Sequence, residues 1–137
     1  MSADRVRDGH RLAQLLASEL ESGATPDALA VTDADPDVEP TPGGTLAYRV
    51  RDTKRDREVA AVYVQPDRTR VEFSTAPEAV ADAAEEAGLR VRPKAAQPPR
   101  TIVFVEDGAQ VKWIRPAFAA ALAGDGADGN AFSEGEK

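Results

Sequence analysis

Residues 59–64, Val-Ala-Ala-Val-Tyr-Val, are apolar at every position, and half of them are β-branched. A run with no polar alternation reads as a strand covered at least in part on both faces, and this one is too short for a buried helix. It therefore demands strand neighbours. On its amino-terminal side, residues 45–51 set Leu46, Tyr48 and Val50 against Ala47, Arg49 and Arg51, the two-residue period of a strand with one wet face. The charged stretch 52–57 closes a hairpin between the two. Beyond Pro66-Asp67, residues 68–74 place Val71 and Phe73 on one face and Arg70 and Glu72 on the other.

Helical patterns flank this meander. Asp8 is a good N-cap for a helix over about residues 9–22, with Leu12, Leu15, Leu16 and Leu20 as its apolar stripe and Gly23 as its stop. Residues 28–32 give a short strand, and Pro36, Pro40 and Pro42 deny a ladder to the acidic loop 33–44. Thr75-Ala76-Pro77-Glu78 reads as a capping box that opens a helix to Ala87, its acids on one side and its Ala and Val residues on the other. Residues 89–92 give one more strand before a linker over 93–100. Asp107-Gly108, between residues 101–106 and 109–114, is the dipeptide preferred by a two-residue hairpin, which would pair Phe104 with Val111 and Ile102 with Trp113. Pro116 starts a short helix through Leu122.

This order predicts an α+β fold: an antiparallel or mixed sheet with an N-terminal helix, a middle helix and a short C-terminal helix packed mainly on one face. The domain is expected over residues 1–123, followed by a disordered acidic, Gly-rich tail at 124–137. Because Ile102 and Phe104 are apolar as well as Val103 and Val105, that strand needs cover on its second face. A second copy of the chain is one way to supply it, so a homodimer burying Val103, Val105 or the Tyr63 face is expected.

Charge and composition remove several chemistries. The chain has no Cys and one His, His10, which excludes a disulfide framework, a thiolate zinc site, a cysteine nucleophile and a His-rich metal site. No apolar run approaches the roughly 20 residues that span a bilayer, and no signal-peptide core follows Met1, so a cytoplasmic protein without a membrane partner is expected. The 24 acids outnumber 17 bases for a net charge of −7, and the bases divide into 13 Arg and 4 Lys. Such an acidic, Lys-poor and Ala-rich chain reads as salt-adapted, its self-repulsion screened by concentrated counterions.

Motif fragments are weak. Asp33, Asp35 and Asp37 imitate the opening of a calcium loop, but Val38 and Gly44 stand where that loop needs Gly and Glu. Gly124, Gly126 and Gly129 match a dinucleotide fingerprint in the wrong setting, after a helix and before a tail. Asp67 with Glu72-Phe73-Ser74 resembles the metal-binding spine of restriction-endonuclease-like nucleases, with Ser74 in place of the Lys that orients water. No Gly-x-Ser-x-Gly is present, and His10, in the first turn of a helix, is a poor base for a Ser nucleophile. No catalytic residue, metal or cofactor is assigned.

Charge segregation stands out more. Residues 42–75 and 89–116 carry +2 and +4, leaving −13 for the rest. Arg49, Arg51, Arg70, Arg90, Arg92 and Lys112 fall on the solvent parity of their strands, with Tyr63 among them if Val62 and Val64 face the helices. Such a face could hold phosphates or other anions, with stacking on Tyr63. Pairing of these arginines with Glu58, Glu72 and the acidic helices is the competing reading.

The stretch from Arg5-Val6-Arg7-Asp8-Gly9-His10-Arg11-Leu12-Ala13 through Ser18-Glu19-Leu20 to Asp33-Ala34-Asp35-Pro36-Asp37-Val38 resembles small uncharacterised proteins of haloarchaea, over roughly the first 50 residues. That resemblance implies a salt-rich cytoplasm and carries over no site. The sequence points first to a non-enzymatic module that binds another protein or itself. A nucleic-acid-binding module using the basic face is the second reading, and a small carboxylate-dependent hydrolase or nuclease the third. The charge balance generates one direct expectation: the thermal midpoint should rise markedly between about 0.1 M and 2 M KCl, as the screening length falls from roughly 10 Å to a few Å. A midpoint that stays put would remove the salt-adaptation reading.

Overall fold

In the computed structural model, which describes residues 8–22, 29–94 and 99–124, the apolar run becomes the longest strand of a six-stranded sheet. In chain order the elements are α1 (Gly9–Glu21), β1 (Leu29–Thr32), β2 (Thr45–Asp52), β3 (Arg57–Gln65), β4 (Arg68–Phe73), α2 (Pro77–Glu86), β5 (Arg90–Lys94), β6 (Arg100–Val105), the single turn α3 (Gln110–Trp113) and α4 (Arg115–Ala123). Every strand pair is antiparallel and the order is β1-β2-β3-β4-β6-β5. The fold is α+β, with N-terminal, middle and short C-terminal helices. No helix among the described residues is long and apolar enough to cross a membrane.

The helices line one face of the sheet. Leu12, Leu16 and Leu20 of α1 are buried in one core with Val50, Val62, Val64 and Val71, while Val80 and Ala84 bring α2 over β5 and β6. α4 packs on α2 and sends Phe118 edge-on against Phe73, ring centroids 4.8 Å apart. Asp8 caps α1 as its sequence requires, its Oδ1 accepting from the His10 and Arg11 backbone N–H groups. The next residue must be small: a Cβ on Gly9 would drive into the Gln65 and Arg68 carbonyl oxygens of the β3–β4 turn, and the Gly9 N–H donates to the Pro66 carbonyl.

Several local expectations give way to tertiary structure. Asp107-Gly108 turns no hairpin, since neither residue has the positive φ that such a turn demands. Asp107 instead accepts from the Gln110 N–H through Oδ1 at 3.1 Å, Gln110 Oε1 accepts from the Glu106 N–H at 2.7 Å, and a helical turn follows. Phe104 and Ile102 thus pair with β4 and β5 rather than with Val111 and Trp113. At α2 the N-cap is Ala76 in the left-handed region, φ 45°, with no side-chain cap, because Thr75 donates its hydroxyl to the Ala121 carbonyl of α4 at 2.9 Å. Pro77 does occupy the first turn. The stretch read as a linker contributes Pro93 and Lys94 to β5, paired with Thr101 and Arg100. In β2, irregular register between Leu46 and Tyr48 sets Leu46 beside Tyr63 and Tyr48 beside Val62, so these two side chains leave the shared face that strict alternation assigns them. The stop at Gly23, residue 28 and the tail from residue 125 lie outside the described residues.

Both sheet edges are blunted. β1 has 4 residues, and β5 carries Arg90, Arg92 and Lys94 as well as Pro93, whose missing N–H is tolerated only on an outer edge. At the far end, Arg55 from the β2–β3 turn and Arg57 at the start of β3 donate to the carbonyls that end α4, Leu122 and Gly124, at 2.6 Å at the shortest. Asp52, buried beneath, pairs with Arg57 at 3.4 Å.

Two measurements probe this packing. Gly9→Ala should cost about 1–3 kcal/mol in urea unfolding, because the new methyl meets backbone rather than a side chain that can swing away. An unchanged stability would show that α1 does not start against the β3–β4 turn. Tyr48 is buried and donates to the Ala13 carbonyl at 2.8 Å. Burial, aided by the Glu21 carboxylate, pushes its hydroxyl far above the usual tyrosine range. The unfolded phenol ionises near pH 10 and the folded one does not, so stability should be complete below about pH 10 and fall above it. Tyr48→Phe should flatten that alkaline loss.

Candidate functional site: the open face of the sheet

The face opposite the helices carries the charge. Two rows of directly paired residues cross it: Leu46, Tyr63, Arg70, Phe104 and Arg90, then Thr32, Arg49, Ala61, Glu72, Ile102 and Arg92. Arg49, Arg70, Arg90, Arg92 and Tyr63 are therefore brought together on one surface, with Arg51 beside Glu58 at its edge. Lys112 is not among them, since it stands on α3 and reaches Glu19 of α1 at 3.3 Å. The lost hairpin explains that: without a strand at residues 109–114, strand parity does not apply to Lys112. Val103 and Val105 also belong elsewhere, at 0% exposure beneath the helices. A second copy has no access to them, and the apolar side chains that face outward on β6 are Ile102 and Phe104.

These outward apolar groups are sheltered by arginine. The Arg68 guanidinium lies 4.0 Å from the centroid of the Phe104 ring, and that of Arg70 lies 4.6 Å from Tyr63. Phe104 is left 3% exposed and Ile102 9%. The cover that sequence reasoning sought from another subunit is supplied in good part by the stems and heads of the chain's own cations.

Glu72 is the electrostatic centre. Its carboxylate, in a side chain only 3% exposed, meets Arg70 Nε at 3.2 Å on one oxygen and Lys94 Nζ at 3.2 Å and Arg100 at 3.5 Å on the other. Arg70 also donates to the Gly43 carbonyl, and its guanidinium fills the space where Gly44, φ 90°, has no Cβ. It pins the loop before β2. Elsewhere the pairing continues: Arg49 with Glu58 at 3.1 Å and Asp33 at 3.8 Å, Arg51 with Asp56 at 2.9 Å, and Arg68 and Arg90 both on Glu106 at 3.5 and 3.2 Å. Arg92 alone of the expected set has no partner among the described residues. The uncommitted positive charge thus gathers at β5, where Arg90 and Lys94, at 65% and 45% exposure, flank it. Lys94, Arg100 and Arg68 were not singled out from the sequence; the first two fell in an apparent linker, and strand parity carried forward to residue 94 and back from Ile102 to residue 100 would have found them.

The remaining candidates resolve structurally. Glu72, ringed by cations, is no ligand for a divalent metal, and Asp67 sits five positions away in the β3–β4 turn. Asp35 caps the Asp37 N–H and its own N–H bonds Ala47, holding the acidic loop to β2. Among the described residues no three His, Asp or Glu side chains converge as a metal site would need. A polar groove of about 760 Å³ at the end of the sheet is lined by Asp67, Glu106, Asp107 and Gln110, but its Arg68 and Glu106 already bond each other. His10 is in the first turn of α1, and of the three tail glycines only Gly124 lies within the described residues.

No curated protein and no solved structure matches this chain. A family model described as "Family of unknown function (DUF7993)" matches residues 1–134. With nearly its whole length covered, the chain belongs to that family.

Proposed function

We propose that this protein is a non-enzymatic binding module of a salt-rich cytoplasm, and that the β5 side of its open sheet face docks an acidic segment of another protein. The observation that carries the reading is the alternation Arg90, Arg92, Lys94 along an exposed strand, in which Arg92 has no intramolecular partner among the described residues while most other cations of the face are neutralised. A protein partner is favoured over nucleic acid because the two rings of the face are roofed by guanidinium groups and offer no free plane for a base. Concentrated salt also leaves little gain from counterion release. A second copy is a poorer occupant of this edge, since pairing β5 with itself would set like charges against one another. The excess of Arg over Lys suits carboxylate recognition that persists in salt, because the planar fork makes two directed bonds.

Titrating the full chain with poly-L-glutamate and with an oligo-dT strand, at 0.2 M and 2 M KCl, tests this directly. Shifts of the Arg90, Arg92 and Lys94 amides with polyglutamate that survive the higher salt are expected. Binding of the oligonucleotide alone would overturn the protein reading in favour of nucleic acid. Arg92→Glu should abolish the shifts and leave the melting temperature unchanged, whereas Glu72→Gln should cost about 1–3 kcal/mol of stability by stranding the largely buried Arg70 together with the more exposed Lys94 and Arg100. If Arg92→Glu unfolds the chain, Arg92 is a structural residue and the assignment fails.

A further inference from the structure

Between α2 and β5 runs a second, apolar groove of about 530 Å³, lined by Pro77, Ala81, Val91, Pro93 and Pro99, with Glu78 and Glu85 on its helix wall and Lys94 and Arg100 on its sheet wall. The chain itself arrives at its mouth. Gly124, which follows α4, lies so close to Ala76 that a Cβ there would strike the Ala76 methyl, and Ala76 is the residue before Pro77. Residues 125–137 continue from that point with four acids, one Lys and a single aromatic, Phe132. Phe132 lies eight positions beyond Gly124, a reach of roughly 28 Å when extended.

We propose that this groove is the docking site of the chain's own carboxy-terminal segment, with Phe132 seated among Pro77, Ala81, Val91 and Pro93. Glu134 and Glu136 then face Lys94 and Arg100. Those two cations each give a single contact of 3.2–3.5 Å to Glu72 and remain 45% and 37% exposed, so they keep donors to spare. The path fits the helix that it crosses. α2 begins without a side-chain cap and presents the positive end of its dipole beside Gly124, where the acids Asp125 and Asp128 follow. The acids Glu78 and Glu85 stand on the helix wall, so carboxylates of a docked segment are favoured toward Lys94 and Arg100. Docking here does not need Arg92, although Lys94 borders both the groove and the binding surface assigned above.

The absence of cysteine makes the test clean. A nitroxide on Ser133→Cys in the full chain should broaden the Ala81, Val91 and Thr101 amide resonances and spare those of β1 and β2. Phe132→Ala in the same labelled chain, or Ala81→Asp in the groove, should abolish the broadening, while Arg92→Glu should leave it intact. Two results would overturn the proposal: broadening no stronger at the groove than at β1, or broadening that fades on dilution with unlabelled chain, which would mean that the segment docks on a second copy. Should Ala81→Asp disturb the fold, Phe132→Ala still decides, since it alters no residue of the described core.

Discussion

A carboxylate held at 3% exposure stays charged only if cations replace its water, and Glu72 is arranged around that need. Its three partners come from three strands: Arg70 from β4 itself, Lys94 from β5 and Arg100 from β6. Glu72 draws those side chains inward across the sheet, next to Ile102, its direct partner on β6. Arg70 carries the effect further, to Tyr63 on one side and to the Gly43 carbonyl on the other. A sheet with helices on one face alone can therefore leave its second face without another layer of backbone.

The same arrangement accounts for how much of the face was legible in the sequence. Parity along β2, β4 and β5 identified Arg49, Arg70, Arg90 and Arg92, because a two-residue period depends on nothing beyond the strand. What parity cannot convey is which cations are spent on neighbours. Arg49, Arg51 and Arg70 are engaged by Glu58, Asp56 and Glu72, partners that become adjacent through pairing register or turn geometry. Sequence reading weighed that pairing as the competing interpretation, and over β2–β4 the distances favour it.

The fold was readable where burial and period agree. Leu12, Leu16 and Leu20 mark α1, and residues 59–64 mark β3, through patterns that tertiary structure has no reason to override. Misreadings cluster where a local signal has two outlets. Asp-Gly serves a hairpin or the start of a helix, and Gln110, three residues after Asp107, tips it to the second by bonding back to the Glu106 N–H. Thr-x-x-Glu reads as a cap, but the Thr75 hydroxyl is claimed by α4, a helix 40 residues further along the chain that no local window contains.

Pro93 acquires a particular meaning in concentrated electrolyte. Mutual repulsion between basic edge strands keeps ordinary sheets apart in dilute buffer, yet it shrinks with ionic strength, while burial of apolar surface is strengthened by excluded salts. A missing amide hydrogen is indifferent to ionic strength. At β5 the guard against fibre-like stacking is thus partly a missing donor, and it persists where the long-range repulsion among Arg90, Arg92 and Lys94 is screened.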